Sequence, residues 1–359
     1  MKIKVNNNFL LLAIIFLFFI KVVLFILIKN NYLAINLGGG NDADYYDQFA
    51  NGFQNIEVNI WPVILKALNH FGLYSRSFIS NIFLFLNVIA IPAITCKLAG
   101  LKFNRNQKSY LYLYILCLVY PTLFYYSFDI YRDVFMVYVF LIGCLTVKKY
   151  FESKAVYQLV FYYILSIFVG CFLVLLRPYL GYAFILALLM WKIKLTKKRV
   201  IFLGVMYLFV LFLANYIGVL DFLIKYRSTF EEMDGASNLG LDFSNSLIFV
   251  PNLALSILGQ LFGLYIVNSF AAIIFIIETV PFVYMLIYVI KNIKIADSFL
   301  RFLIIFFVIY ASVWLIGNDN LGTALRLRMY NYLAIYICFF HIVKVKTLLK
   351  SNELRSYYL

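Results

Sequence analysis

The feature that most constrains this chain is a series of ten apolar runs, most of them long enough to cross a lipid bilayer. A helix needs about 20 apolar residues to span the hydrocarbon core. The runs lie near residues 9–28, 77–96, 109–127, 130–147, 155–176, 179–193, 200–220, 263–290, 299–316 and 326–343. Transmembrane β-strands would alternate in polarity, and these runs do not. The sequence therefore predicts an all-α polytopic membrane protein with about ten transmembrane helices.

The rest of the sequence fits a single polytopic domain over residues 1–359. We find no internal repeat, linker or low-complexity segment, and the larger outer loops are expected near 29–76 and 221–262. The first run is too long for the apolar part of a signal peptide, so it is expected to remain as the first span. The five cysteines lie in apolar runs without a CxxC pair, which favours buried small side chains over zinc ligands or disulfides.

The charges predict how the chain is oriented. The formal net charge is +15, from 31 basic and 16 acidic residues, while only 13% of the chain is charged. Most of the basic residues fall in alternate loops, with clusters at 97–108, 148–154 and 192–199. Cytoplasmic loops carry such an excess, so we expect both termini in the cytoplasm. The positive charge then reflects topology, and we expect no nucleic-acid partner.

The first outer segment concentrates acidic residues. Gly38-Gly39-Gly40 precedes Asp42, Asp44 and Asp47, which could bind a divalent cation or serve as a general base. A solvated acidic loop is the alternative. The following segment, 60–70, has apolar residues at helical spacing, which fits either a short amphipathic helix on the outer membrane surface or an early start of the second span. We weigh these two interpretations equally.

Charges also gather at the outer turns between spans. Asp129, Arg132 and Asp133 lie in a short turn at the membrane boundary, where charges are costly unless they pair or face a wet cavity. An Asp–Arg pair that only seals a helix end is the alternative. Arg177 has no carboxylate near it in sequence, so it needs an anionic partner from elsewhere, either a lipid head group or a substrate diphosphate.

The last outer turn carries arginines where topology does not require them. Arg326 and Arg328 begin the tenth span and oppose the charge bias, and since they are two apart on a helix, at most one is expected to face the same cavity as Arg177. Glu278, near Pro281 in the eighth run, marks either a kinked cavity-lining helix or a buried hydrogen-bonded carboxyl.

Taken together, these segments resemble bacterial oligosaccharide repeat-unit polymerases of O-antigen and capsule assembly. More broadly they are similar to the polytopic GT-C glycosyltransferases that use polyprenyl-linked sugars. The resemblance covers the topology of nearly the whole chain and rests on four short features. These are the acidic segment 42–46, Asn59-Ile60-Trp61-Pro62, Pro121 followed by Arg132-Asp133, and Arg326-Leu327-Arg328.

The resemblance implies a GT-C-like helical bundle in a bacterial inner membrane and a reaction at its periplasmic face. An acceptor hydroxyl attacks the anomeric carbon of a donor linked to undecaprenyl phosphate or diphosphate, arginines stabilise the leaving phosphate, and a carboxylate takes the proton. The implied catalytic residues are Asp42, Asp44 and Asp133, with a possible divalent cation at Asp42 and Asp44. The implied phosphate-binding residues are Arg132, Arg177, Arg326 and Arg328. The implied glycan-binding residues are Tyr45, Tyr46, Asp129, Tyr179 and Asp319. The implied partners are lipid-linked glycans, the bilayer and other polysaccharide-assembly proteins.

Two other functions stay open at this point. One is a GT-C transferase that adds a single sugar from a polyprenyl-phosphate donor, and the other is a non-enzymatic flippase of lipid-linked glycan. A flippase should carry charged residues along the depth of the membrane so that both faces can load substrate. Only Lys21 and Glu278 lie deep in predicted spans, which favours an enzyme acting at one face.

Overall fold

The computed structural model describes residues 6–30, 32, 33, 40–229 and 237–350. Within these ranges the chain is helical and forms no β-strand beyond one isolated bridge between Asn238 and Asn320. The prediction of an all-α polytopic membrane protein is confirmed. The chain divides into two compact units, Met1–Tyr182 with Phe340–Leu359, and Ala183–Phe339. We call them unit 1 and unit 2. The interpretation as a single domain stays a prediction.

Within the described residues, nine helices lie wholly in unit 1 and six lie wholly in unit 2. The nine of unit 1 are α1 (Asn7–Lys29), α2 (Gly40–Ala50), α3 (Ile60–His70), α4 (Arg76–Phe85), α5 (Ile91–Leu98), α6 (Gln107–Leu118), α7 (Pro121–Tyr125), α8 (Arg132–Glu152) and α9 (Val156–Leu176). A π-helical turn at Leu86–Ala90 joins α4 to α5, so the two form one continuous span.

The six described helices that lie wholly in unit 2 are α11 (Lys197–Tyr216), α12 (Asp221–Ser228), α13 (Phe249–Ser256), α14 (Ser269–Ile274), α15 (Val280–Lys291) and α16 (Ser298–Gly317). The helices α10 (Pro178–Met190) and α17 (Leu321–Lys350) each run through a boundary between the units. Short 3₁₀ turns lie at Ser246–Ile248 and Ile293–Ile295, and π-helical turns lie at Ile257–Leu261 and Phe275–Thr279.

In the described part of the chain, eight helical stretches are long and apolar enough to cross a membrane. They are Asn7–Lys29, Arg76–Leu98, Arg132–Glu152, Val156–Leu176, Lys198–Tyr216, Ser269–Lys291, Ser298–Gly317 and Leu321–Leu349. The other two predicted runs form shorter helices. The run 179–193 gives only the 13-residue α10, and the run 109–127 is broken between α6 and α7.

The break between α6 and α7 follows from proline chemistry. Pro121 has no backbone N–H to donate and disfavours helical backbone at the residue before it. Tyr120 is accordingly extended, with φ −73° and ψ 101°, and α7 starts at Pro121. The chain therefore leaves the regular helix after Val119 and turns toward Arg132, where α8 begins.

The helices of unit 1 meet at two polar ends. At one end Lys29 of α1 donates to the Ser77 carbonyl of α4, and Arg132 of α8 donates to the Leu176 carbonyl of α9. We call this the Arg76 end. At the other end Lys148 of α8 donates to the carbonyls of Lys97 and Leu98, which close α5. The helices α1 and α9 therefore end at the Arg76 end, where α4 and α8 begin, as expected if basic residues fall in alternate loops.

One cation is buried within the first span. Lys21 is 5% exposed, its Nζ donates to Asn87 Oδ1 at 2.7 Å, and it lies 4.4 Å from the ring centroid of Phe124. Asn87 belongs to the π-helical turn of the second span. An amide acceptor and an aromatic face thus replace the water that this ammonium group loses on burial.

Candidate functional site

The centre of the Arg76 end is a guanidinium surrounded by three carboxylates. Arg76 Nε donates to Asp129 Oδ1 at 2.8 Å, and NH2 reaches Asp129 Oδ2 at 2.5 Å. The same NH2 donates to Asp44 Oδ1 at 2.8 Å, and NH1 lies 4.0 Å from Asp47 Oδ2. The planar fork of arginine allows this simultaneous binding, which an ammonium group could not reproduce. We call Arg76, Asp44, Asp47 and Asp129 the Arg76 cluster.

Three separate segments of the chain position the residues of the Arg76 cluster. The Ser75 side chain accepts from the Phe78 N–H and caps α4, which places Arg76 at the first helical position. Asp44 and Asp47 lie on α2, and Asp129 lies in the turn before α8. The acidic segment, expected to be a loop, is therefore helical from Gly40, and Gly38 and Gly39 lie outside the described residues. A helix fixes Asp44 and Asp47 three apart on one face toward Arg76.

A tyrosine supports the second carboxylate of α2. Tyr74 donates its hydroxyl to Asp47 Oδ1 at 2.5 Å. Burial raises the pKa of Tyr74, and the hydrogen bond to Asp47 raises it further, because both favour the neutral phenol. Tyr74 therefore stays a hydrogen-bond donor throughout the physiological pH range, and it holds α2 against the start of α4.

The segment after α2 forms a separate helix, as one of the two interpretations predicted. α3 ends at His70 and is divided from α4 by a turn in which Gly72 has φ +67°. Trp61 is buried, and its indole N–H donates to the Ile130 carbonyl at 2.9 Å. Its ring packs against Phe83 and Phe135. Trp61 thus ties α3, on which α2 packs, to the turn that carries Asp129.

Beside the cluster lies Arg132, the first residue of α8. Its NH1 donates to the Leu176 carbonyl at 3.2 Å, and its Nε is buried without a hydrogen-bond partner. Burial raises the pKa of Tyr46; the positive charge of Arg132 opposes this rise, whereas the negative charges of Asp42 and Asp133 add to it. Asp42 and Tyr46 lie on α2, whereas Arg132 and Asp133 begin α8, so these electrostatic influences act between the two helices. Arg132 is partly exposed there, so part of its hydrogen-bonding capacity faces outward.

The anionic partner that Arg177 needs is within the protein. Arg177 NH2 lies 3.3 Å from Asp133 Oδ1, and the two side chains are 4% and 1% exposed. The guanidinium also lies 5.8 Å from the ring centroid of Tyr179. Asp133, 44 residues away in sequence, meets Arg177 across the packed α8 and α9, and phosphate binding by Arg177 stays a prediction.

Asp129 does not pair with Arg132, its neighbour in sequence, which excludes the alternative of a local Asp–Arg pair. α8 begins at Arg132, so Asp129 precedes the helix and does not share a helical face with Arg132 or Asp133. Asp129 instead binds Arg76 and accepts the N–H of Ile130 at 2.8 Å. The turn therefore splits its charges: Asp129 belongs to the Arg76 cluster, and Asp133 belongs to Arg177.

In unit 2, Asp319 is part of a buried polar network. Arg227 binds the Asp319 carboxylate and donates to the carbonyls of Leu241 at 2.9 Å and Asn318 at 2.6 Å. The other Asp319 oxygen accepts the Gly240 N–H at 2.9 Å. Asp319 has no exposed surface, so its carboxylate holds the segment after Ser237 onto the end of α16. A direct role of Asp319 in glycan binding stays a prediction.

The two arginines of α17 have different surroundings. Arg328 NH2 lies 3.0 Å from Glu278 Oε2, and both side chains are buried, whereas Arg326 is partly exposed. They therefore point in different directions, as their spacing predicted. Glu278 lies in the π-helical turn Phe275–Thr279, just before Pro281. It is a buried carboxyl with a partner, which was one of the two interpretations of this residue.

The structure thus brings together the predicted residues of unit 1 at the Arg76 end. The predicted site residues found at this end are Asp42, Asp44, Tyr46, Asp129, Arg132, Asp133 and Arg177. Tyr45 is next to them on α2, where its hydroxyl donates to the Ile56 carbonyl, and Tyr179 lies beside Arg177. Asp319, Arg326 and Arg328 belong to unit 2, where each has the contacts or exposure described above.

Arg76 and Tyr74 are the site residues that the sequence interpretation missed. Arg76 carries a signal that could have found it, since it is a basic residue at the predicted outer start of a span, against the charge bias that also singled out Arg326 and Arg328. No group of three or more His, Cys, Asp or Glu residues within the described ranges is arranged to hold a metal. The divalent cation at Asp42 and Asp44 stays a prediction.

Comparisons with protein-family models, with curated proteins and with solved structures find no match for this chain.

Proposed function

We propose that this chain is a membrane glycosyltransferase that polymerises lipid-linked oligosaccharide repeat units, with its active site at the Arg76 end of unit 1. The observation that carries the proposal is the neighbourhood of Arg132 at this end. A partly exposed guanidinium with a buried, unpartnered Nε acts electrostatically on the phenol of Tyr46, which lies on α2, the helix that carries Asp42 and Asp44. Glycosyl transfer from a lipid diphosphate needs a cation for the leaving group and a carboxylate for the acceptor proton.

In the proposed reaction the acceptor hydroxyl oxygen forms a bond to the anomeric carbon of the donor sugar. The bond between that carbon and the phosphate oxygen breaks, and the electron pair leaves with the polyprenyl diphosphate. The hydroxyl proton passes to a carboxylate, for which the partly exposed Asp42 and Asp44 are the candidates on α2. Arg132 binds the leaving diphosphate, where negative charge increases as the bond breaks.

The remaining charges act on the position of these groups. Arg76 orients Asp44 and Asp129 through its ion pairs, and the buried pair of Arg177 with Asp133 fixes the first turn of α8, from which Arg132 projects. Asp133 is 1% exposed, so we assign it to positioning rather than to proton transfer. Tyr45 is partly exposed and offers a ring face suited to sugars, whereas Tyr46 is buried.

The proposal is tested by following surface glycan in cells that lack the chain and are complemented with variants. Arg132→Ala should abolish long glycan chains at a normal protein level, whereas Arg105→Ala should restore the wild-type ladder. Arg105 is an exposed arginine before α6 and serves as the matched control. A single repeat unit retained in the deletion strain supports a polymerase. A uniformly truncated repeat would instead indicate a single-sugar transferase, and the absence of any surface unit would indicate a flippase.

A further inference from the structure

The densest basic cluster of the sequence forms a cleft in unit 2. The cleft has a volume of about 520 Å³ and lies between the end of α10 and the start of α11. Its described lining consists of Lys192, Ile193, Lys194, Arg199, Phe202 and Leu203. Three cations therefore face one small space, and no carboxylate is among the described lining residues. The charge bias of membrane topology accounts for basic residues in this loop but not for their convergence on a cleft.

The wall of the cleft is apolar as well as cationic. Phe202 and Leu203 are 64% and 38% exposed, and they continue along α11, whose apolar surface is largely unburied in the protein. Trp191 is adjacent, and its ring lies 5.9 Å from Lys192 Nζ and 5.8 Å from the Arg301 guanidinium. Arg301 therefore adds a fourth positive charge near the cleft. A ligand suited to this surface has an anionic head for the cations and an apolar tail for Phe202 and Leu203.

The length of α10 gives a second, independent reason to expect a lipid here. A helix of 13 residues is about 20 Å long, which is shorter than the hydrocarbon core of about 30 Å. If α10 crosses the membrane, the bilayer must thin beside it or polar groups must be drawn inward at its ends. The basic residues that follow Met190 would then attract the phosphate of a nearby lipid into the cleft.

We propose that this cleft binds the phosphate-bearing head group of an anionic phospholipid, with Lys192, Lys194 and Arg199 on the phosphate and Phe202 and Leu203 against the acyl chain. A cation near an anionic lipid surface strengthens lipid binding. We expect Lys192, Lys194 and Arg199 together to raise the affinity for an anionic phospholipid on the order of 100-fold. The inference is independent of the proposed glycosyltransferase activity, since it concerns residues of unit 2 that the proposed reaction does not use.

The test uses the full-length purified chain and native mass spectrometry to titrate lipid binding. The probes are phosphatidylglycerol, phosphatidylcholine and inorganic phosphate. The test variant combines Lys192→Ala, Lys194→Ala and Arg199→Ala. The control variant combines Arg105→Ala, Lys149→Ala and Lys154→Ala, which removes the same charge from exposed positions of unit 1. All six side chains are exposed, so we expect both variants to fold, and their melting temperatures verify this.

The expected result is one phosphatidylglycerol bound on the order of 100-fold more tightly than phosphatidylcholine, lost in the test variant and kept in the control. An equal loss in both variants would overturn the proposal, because it would show a general response to positive charge. The same holds if the chain shows no preference between the two lipids. If inorganic phosphate displaces phosphatidylglycerol at equal concentration, the cleft takes a free anion and the assignment to a lipid fails.

Discussion

Arg177 and Asp133 form an ion pair inside unit 1, with Arg177 NH2 3.3 Å from Asp133 Oδ1 and almost no exposed surface on either side chain. The pair joins the first turn of α8 to the junction between α9 and α10. Arg132 directly precedes Asp133 in the sequence. The contact between Arg177 and Asp133 therefore also sets the position of the partly exposed Arg132 side chain. A buried pair of this kind need not add net stability, but breaking it leaves an uncompensated charge.

We therefore predict different outcomes for breaking and for replacing the pair. Arg177→Met alone should lower stability by about 3–5 kcal/mol, because Asp133 would remain charged in a buried place. Adding Asp133→Leu should recover most of the loss, since both charges are then gone. Thermal unfolding in detergent measures the effect, and glycan chain length measures activity. Full activity in the stable double variant would show that the pair does not position Arg132.

The Arg76 cluster should depend on the shape of arginine as well as on its charge. Arg76→Lys keeps a cation but cannot bind both oxygens of Asp129 and one oxygen of Asp44 together. We expect glycan polymerisation to fall at least tenfold, with a small change in melting temperature because Arg76 is 38% exposed. Arg105→Lys is the matched control. Wild-type chain lengths with lysine at position 76 would show that the cluster needs only the charge.

The proton acceptor can be identified by isosteric changes on α2. Asp44→Asn keeps an oxygen that can accept from Arg76 but removes the basic carboxylate, and Asp42→Asn makes the same change at the other candidate. One of the two should abolish polymerisation, whereas Asp47→Asn should retain most of it. Normal rates in both variants would place the base elsewhere.

A close approach of α9 and α10 gives a prediction about folding. A Cβ at Gly181 would overlap the backbone nitrogen of Val174 and lie 2.6 Å from the Gly170 carbonyl oxygen. Gly181→Ala should therefore push the two helices apart and reduce folded protein strongly. Gly204 on α11 has open space around its Cβ position, so Gly204→Ala should be neutral or stabilise by about 1 kcal/mol. Size-exclusion profiles and melting temperatures compare the two, and equal behaviour would contradict the packing of α9 on α10.

The membrane-spanning helices were predictable because a long run of apolar residues is itself the sequence signal of a helix buried in lipid. The starts of the second and fourth spans at Arg76 and Arg132 fall within two residues of the sequence prediction. Where the prediction differed, a local feature decided: Pro121 breaks the third run, and α10 contains too few residues to match a full span.

The pairing of charges was not predictable, because it depends on which helices pack together. Asp133 meets Arg177 across 44 residues, and Arg76 meets Asp129 across 53. The sequence around Arg177 contains no signal for its partner. Asp129 likewise does not bind the basic residues that lie closest to it in the sequence. The acidic residues of α2 and the arginines at the span ends were still recognisable, since each is costly at a membrane boundary without a partner.

The break between α6 and α7 also determines the electrostatic environment of the Arg76 end. α6 has 12 residues and is about 18 Å long, shorter than the hydrocarbon core of about 30 Å, and aromatic rings surround the turn that follows it. Tyr125, Tyr126 and Tyr131 pack on one another there. Charges in such a medium are screened weakly by dissolved salt. The contacts of Arg132 should therefore persist at an ionic strength that dissociates ligands from exposed basic surfaces of the same chain.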